Sequence, residues 1–362
     1  MTFSERTNKI LHAAVLFLSL YFFLVSIKLM GGSFKLMGSG FAETLLSATA
    51  NPLTALFIGI LATAIIQSSS STTSIIVAFV GAGMLPLEAA IPMVMGANIG
   101  TTVTNTLVSF AHLTRRSEFR LAFSSSIVHL FFNAIIVMIF FPLEQATHIL
   151  QRTAIYMADM TVGTSGMTFT SPLDQVITPV VKAVIHVLPP QYMILISVVV
   201  LMIALKYLVT ATKVLFISGR ENFLSKYLFK TAKISFVCGF LLTALVQSSS
   251  ITTSLVVPFA GAGLLSLEQI FPFALGANIG TTVTAFLAAL VTGTTMALAL
   301  AYVHILFNSL GAIVIWPIRK LPIWMAEKMG EIVEKKRRVA LIYVAVIFYI
   351  LPLMVLILSG VI

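Results

Sequence analysis

Two polar octets carry the chemistry of this chain. Gln67-Ser68-Ser69-Ser70-Ser71-Thr72-Thr73-Ser74 and Gln247-Ser248-Ser249-Ser250-Ile251-Thr252-Thr253-Ser254 each lie inside a run free of charged residues. Twenty-nine residues after each Gln comes Gly-Ala-Asn-Ile-Gly-Thr-Thr, at Gly96–Thr102 and Gly276–Thr282. None of these segments contains Lys, Arg, Asp or Glu, so they offer only hydroxyls, carboxamides and backbone groups. Helix N-termini and Ser hydroxyls donate to an anion. Carbonyl, hydroxyl and Asn/Gln oxygens suit a hard cation such as sodium. Bound together, the two ions neutralise each other and lower the cost of placing charge in a nonpolar interior. Neither enters easily alone, which yields obligatory coupling.

A plainer reading competes. Ser and Thr are common where membrane helices pack closely, and Gly96 and Gly100 fit GxxxG spacing. Against it stands the coincidence of both motifs at equal spacing in two places, since interrupted helices at corresponding positions of two halves point to a transporter substrate site. His129 and His304 are also paired, in Val128-His129-Leu-Phe-Phe-Asn133 and Val303-His304-Ile-Leu-Phe-Asn308. A lone membrane His is more often a packing group than a proton relay. Asn133 and Asn308 lie one helical turn further on and can face the same cavity as Asn98 and Asn278. An intramembrane serine hydrolase is disfavoured: no GxSxG elbow is present, and a dyad needs no second copy.

The elements that position these residues are membrane helices. Of 362 residues, 59% are apolar and 9% charged, with a mean hydropathy of +1.05. A soluble domain carries about 25% charged residues, and apolar runs of roughly 20 residues, enough to cross a bilayer, recur throughout. Charge-free runs cover Ile10–Ile27, Thr44–Leu87, Ala89–Thr114, Leu121–Leu143, Ala183–Leu205, Ile234–Leu267, Gln269–Ile318 and Val339–Ile362. As one helix Thr44–Leu87 would be about 65 Å long, so it must fold back or cross twice. Continuous apolarity excludes the alternating strands of a β-barrel. Met1–Leu20 lacks a cleavage site and reads as a retained first helix. The single Cys238 excludes a disulfide framework. The basic residues behind the net charge of +10 sit in short loops, which fits membrane anchoring and not nucleic acid.

Leu61–Leu107 and Leu241–Leu287 align without a gap at 29 of 47 positions, which makes duplication the organising feature. Each unit supplies a leading helix, an apolar pair interrupted by QSSS, a helix interrupted by GANIG and a closing helix. The expectation is an all-α polytopic membrane protein of two inverted-topology repeats, each with a re-entrant hairpin tipped by the octet and a discontinuous transmembrane helix. The first repeat spans 1–143, an external linker 144–190, the second repeat 191–318, and a basic loop with an extra final helix 319–362. Under this topology four basic clusters fall on one side, which the positive-inside rule makes cytoplasmic. They are Arg6 and Lys9; Arg115, Arg116 and Arg120; Arg220, Lys226, Lys230 and Lys233; and the run from Arg319 to Arg338. Lys28 and Lys35 are exceptions.

The paired QSSS motifs, each followed by GANIGTTVT, together with Arg116-Ser-Glu-Phe-Arg120 and VHxxFN, resemble the type II sodium–phosphate cotransporter family in its bacterial form. The resemblance covers roughly Pro52–Glu144 and Lys233–Arg319. It implies sodium-driven uptake of inorganic phosphate by alternating access, in the cell inner membrane, with sodium as coupling ion and no cofactor. By position it assigns Gln67, Ser68, Ser69, Ser70, Ser248, Ser249 and Ser250 to phosphate, and Gln247, Ser248, Thr281, Thr284 and Asn133 to sodium. Thr101, Thr104 and Asn308 extend the sodium set by the repeat. Family analogy suggests a dimer. Electrogenic members carry Asp directly after the first-repeat histidine, where this chain has Leu130, and Ala where it has Ser124 and Ser126. That pattern resembles the electroneutral branch. A carrier of sulfate or a dicarboxylate, a phosphate exporter and a passive channel remain open at this point, because architecture alone does not name the substrate.

Overall fold

A computed structural model describes residues 3–37, 39–162, 174–185, 187–212, 214–215 and 229–361. The first half contains α1 (Phe3–Leu36), α2 (Ser39–Thr49), α3 (Pro52–Ile66), α4 (Ser69–Ala82), α5 (Leu87–Gly100), α6 (Thr102–Ser109) and α7 (Arg116–Thr147). Then come α8 (Ile149–Val162) and α9 (Asp174–Ile185). The second half contains α10 (Pro190–Thr212), α11 (Ala232–Val246), α12 (Ser249–Ser254), α13 (Val256–Gly261), α14 (Leu267–Gly280), α15 (Thr282–Thr292) and α16 (Thr295–Ile315). The chain ends in α17 (Lys320–Lys335), α18 (Arg338–Ala345) and α19 (Leu351–Leu358). Among the described residues there is no strand. Among the described residues six helices are long and apolar enough to cross a bilayer, or seven if α2 and α3, bent by 105°, count as one span. The chain is an all-α polytopic membrane protein.

The two halves repeat element for element: α3, α4, α5 and α6 correspond to α11, α12–α13, α14 and α15. The copies differ where single residues dictate it. Helix α4 is continuous, whereas its counterpart breaks at Leu255, because Pro258 has no N–H for the Ser254 carbonyl. Leu267–Thr292 qualifies as a span and Leu87–Ser109 does not, since Asn105 and Thr106 stand where the second copy has Ala285 and Phe286. The start of α5 and the start of α14 lie at opposite ends of α7. Glu88 shares a cleft with Glu144 and His148 near the last turn of α7, and Glu268 shares one with Arg120 and Ser124 near its first. A 32-residue helix is about 48 Å long, so the two corresponding helices begin a membrane thickness apart.

Three expectations need revision. The glycines of GANIG do not interrupt their helices: Gly96 and Gly100 lie within α5, Gly276 and Gly280 within α14. Each break is one residue later, at Thr101 (φ −52°, ψ −34°) and Thr281 (φ −62°, ψ −27°), where the backbone stays right-handed helical. The glycines serve close packing instead. A Cβ on Gly96 would lie 2.0 Å from the Leu56 carbonyl oxygen, and one on Gly276 1.9 Å from that of Phe236. Gly59 and Gly239 meet Met93 and Phe273 in the same way, both at 2.1 Å. Second, the octets are not tips throughout: Ser69 to Ser74 are already helical. Third, the basic stretch after Arg319 is not a loop but α17, which buries Pro322, Ile323, Ala326, Gly330 and Val333, with Gly330 seated on Ser124 and Arg120 of α7.

Other expectations meet a physical reason or lie outside view. Lys28, exceptional in the charge pattern, donates to Thr178 Oγ1 of α9 at 2.9 Å. Arg220 and Lys226 lie outside the described residues. The segment 144–190 contains α8 and α9, and Glu144 accepts from the Leu150 and Gln151 N–H groups at 2.7 and 3.0 Å, capping α8.

Because Gly276 admits no side chain without moving backbone, Gly276→Ala should destabilise the protein by about 1–3 kcal/mol. Thermal melting in detergent reads this, with Gly40→Ala, which meets nothing within 4 Å, as the control. An unchanged midpoint for Gly276→Ala would contradict the packing assignment.

Candidate functional site

Each octet opens with a two-residue turn. Gln67 (φ 56°, ψ 28°) and Gln247 (φ 58°, ψ 25°) close α3 and α11 in the left-handed region. Ser68 and Ser248 are extended and cap the next helices, their side chains accepting from the Ser71 and Ile251 N–H groups at 3.2 and 3.4 Å. A left-handed non-glycine residue costs on the order of 1–2 kcal/mol. Its occurrence at the same place in both copies marks a conformation the surroundings enforce. The result is two helical hairpins whose arms, 15 and 14 residues in the first, are each about 22 Å long, shorter than a bilayer core. At both tips the N–H groups of residues 69–70 and 249–250 stand in a first helical turn, where no intrahelical acceptor exists.

The tips touch. Ser70 Oγ donates to the Gln247 carbonyl at 2.7 Å, and Ser250 Oγ to that of Thr101 at 3.3 Å. Thr104 Oγ1 donates to the Gln67 carbonyl at 3.4 Å. Beneath the tips lies a lattice of four asparagines. Asn133 donates to the Asn98 carbonyl at 2.8 Å, and Asn308 to the Asn278 carbonyl at 3.1 Å. Asn278 then donates to both Asn133 Oδ1 and Asn308 Oδ1, at 3.0 and 3.1 Å. Its repeat mate Asn98 turns back to the Val94 carbonyl. The helix breaks at Thr101 and Thr281 sit just above this lattice, where VHxxFN asparagines take up carbonyls of the GANIG segments.

Of the residues singled out from sequence, Gln67, Ser70, Gln247, Ser250, Thr101 and Thr104 are joined by these bonds, and Asn98, Asn133, Asn278 and Asn308 form the second group. Ser68 and Ser248 shape the turns. Ser69, Ser249, Thr281 and Thr284 are buried without a bond across the repeats: Thr281 is satisfied by its own helix, while Ser249 Oγ, Thr284 Oγ1 and Gln247 Oε1 are buried with no partner. His129 and His304 are each 1% exposed and neither ring nitrogen is hydrogen-bonded. The His129 ring lies beside the Asn278 amide, outside hydrogen-bond geometry.

Buried polar atoms normally find partners. Oxygens left without partners are donors and acceptors for a guest, and neutral oxygens are the ligand set a hard cation takes. Gln247 Oε1, Ser249 Oγ and Thr284 Oγ1 fit sodium by chemistry. The first-turn N–H groups and serine hydroxyls fit an oxyanion.

Three contributors escaped the sequence reading. Thr63 and Thr243, one turn before the glutamines, are buried with unpartnered hydroxyls. Their signal was identity across the repeat, hidden in an apolar run. Asn105 donates to Thr253 Oγ1 at 2.7 Å and accepts from Ser254 Oγ at 2.8 Å. The equivalent Ala285 makes no such bond, and Ser74 Oγ, the mate of Ser254, is unpartnered. Here the signal was a difference between copies.

Asn105→Ala removes both cross-repeat bonds and should lower stability by about 2 kcal/mol, visible as a lower melting temperature of the purified protein. No change would show the clamp to be energetically silent.

Residues 22–168 and 200–354 match the family model for the Na+/Pi-cotransporter. The chain is 32% identical over 431 residues to sodium-dependent phosphate transport protein 2A of Mus musculus, covering 96% of this chain and 68% of that protein. It is 30% identical over 437 residues to sodium-dependent phosphate transport protein 2B of Homo sapiens and of Pongo abelii, covering 93% of this chain and 63% of each relative. The chain thus spans less than two thirds of the length of those two proteins. No solved structure matches it.

Proposed function

We propose that this chain, which belongs to the Na+/Pi-cotransporter family, imports inorganic phosphate together with sodium by alternating access. One observation carries the reading: two helix N-termini and their serines meet tip to tip, linked by Ser70 Oγ and the Gln247 carbonyl at 2.7 Å, with no charged side chain among the linked residues. Two positive helix ends brought together repel unless an anion lies between them. A divalent oxyanion held by neutral groups within a membrane needs companion cations, and the unpartnered oxygens of Gln247, Ser249 and Thr284 supply acceptors for sodium beside it.

Inverted topology is supported by α5 and α14 starting at opposite ends of α7. Each hairpin then enters from its own side of the membrane, and access alternates as the two repeats exchange conformations. The copies are not equivalent in this state: Gln67 is exposed whereas Gln247 is 6% exposed. The one-sided Asn105 clamp on Thr253 and Ser254 favours the arrangement in which the second hairpin is held closed.

Transport in this reading is electroneutral. Leu130, 3% exposed, brings no carboxylate to the asparagine lattice, and Ser126 satisfies its hydroxyl on the Phe123 carbonyl at 2.7 Å. Sodium then balances a divalent phosphate without an additional cation. The protein works in the inner cell membrane, as a dimer whose protomers each hold a complete site.

Ser68→Ala and Ser248→Ala should each reduce sodium-dependent phosphate uptake tenfold or more, since a hydrogen bond to a charged group contributes about 1.5–3 kcal/mol. Membrane insertion and melting temperature serve as folding checks. Wild-type uptake in both variants would return the octets to a packing role. Competition by sulfate or succinate, with phosphate ineffective, would transfer the site to another oxyanion.

Charge movement gives a separate test. In proteoliposomes on a solid-supported membrane, phosphate with sodium should produce uptake without a sustained current. A current scaling with uptake would refute electroneutrality and leave the phosphate assignment standing.

A further inference from the structure

Helix α17 has two faces. One is docked on α7 through Ile323, Ala326, Gly330 and Val333. The other leaves Leu321, Trp324 and Ile332 exposed, Trp324 by 54%. These three fall on one stripe at i, i+3 and i+11, with Lys328 between them. An exposed apolar stripe with a tryptophan and flanking lysines lies in the interface of a bilayer. The helix ends at Lys335, and the membrane-spanning stretch Arg338–Leu358 starts three residues later, so the junction sits at headgroup depth.

That junction is strongly basic. Arg116 of α7, with Lys335, Lys336, Arg337 and Arg338, lines a cleft of about 410 Å³. The one carboxylate lining it, Glu334, is paired with Arg120 at 3.6 Å. Arg337 donates to the Thr114 carbonyl at 3.1 Å, which ties the junction to the α6–α7 loop and fixes the cleft's shape. Arg116, Lys336 and Arg338 have no carboxylate partner among the described residues. Arg337 occupies the N-cap position of α18 without a side-chain capping bond and Arg338 begins the helix, where the helix dipole disfavours cations. A cluster of like charges at the unfavourable end of a helix calls for an anion, and at this depth the anion present in abundance is a lipid phosphate.

We propose that this cleft binds the phosphodiester headgroup of an anionic phospholipid, with the exposed stripe of α17, Leu321, Trp324 and Ile332, resting in the same leaflet. The site is remote from the QSSS tips and does not depend on what the protein transports. Its effect is to fasten α17 to the bilayer surface, and through Gly330 and Ser124 to hold the first turns of α7.

The chain's own fluorescence provides the test. Its two tryptophans, Trp316 and Trp324, both lie at this end of the molecule. Detergent-purified full-length protein is titrated with phosphatidylglycerol or phosphatidylcholine carrying brominated acyl chains, and tryptophan quenching is recorded. Phosphatidylglycerol should quench at a mole fraction at least about tenfold lower, given three unpaired cations near the headgroup. That advantage should vanish at high salt and in R116Q/K336Q/R338Q, whose exposed side chains leave the core untouched. Inorganic phosphate at millimolar concentration should leave quenching unchanged. Equal quenching by both lipids, or full preference retained in the triple variant, overturns the proposal. Displacement of the lipid by inorganic phosphate overturns it too, and makes the cleft a site for free phosphate. Should the triple variant fail to fold, the salt titration of the wild-type protein decides alone.

Discussion

The meeting of two uncharged hairpin tips is the contact on which the architecture turns. At that place a helix begins in each repeat, and a helix beginning leaves N–H groups without acceptors. In hydrocarbon such groups are tolerated only where protein, water or a guest satisfies them. The fold answers in part itself. Ser70 and Ser250 reach across the repeat boundary to carbonyls of Gln247 and Thr101, and Ser68 and Ser248 cap their own helices. Gln247 Oε1, Ser249 Oγ and Thr284 Oγ1 remain unsatisfied, so polarity survives beside tips that carry no charged side chain.

Holding short helices rigid at that depth requires close packing rather than charge pairing. Glycine supplies it. Gly59, Gly96 and Gly100 bring α3 and α5 to backbone contact, and Gly239, Gly276 and Gly280 do the same for α11 and α14. With backbones this near, dispersion is strong and the tips cannot drift, which is what a site built from weak neutral ligands needs. The asparagine lattice adds direction: Asn278 ties Asn133 of one repeat to Asn308 of the other, joining the halves by amide hydrogen bonds that can be remade in a second arrangement.

Near-symmetry and its violations have different roles. The matched turns at Gln67 and Gln247 show that both copies answer the same steric demand. The unmatched features — Asn105 against Ala285, the continuous α4 against a helix broken by Pro258, exposed Gln67 against buried Gln247 — make the two hairpins energetically distinct. Two halves identical in energy would favour neither of two mirror arrangements, and a few such substitutions, each of about 1 kcal/mol, are enough to favour one.

Much of this was legible in the chain. Hydropathy alone dictates membrane helices, because a nonpolar solvent leaves backbone no alternative. Duplication singled out the candidate residues, because a polar octet repeated in an apolar setting has few structural excuses. The role of GANIG was not legible. Glycine spacing suits both a helix break and a packing seam, and only the neighbouring helix, with its carbonyls about 2 Å from where a Cβ would stand, decides between them. Thr63, Thr243 and Asn105 were equally hidden, since their importance lies in partners 148 residues away or in having none. Local sequence therefore determined what each segment is and which residues are polar within it; tertiary structure alone determined which polar atoms are satisfied, because hydrogen bonding depends on the approach of chain segments that share no sequence proximity.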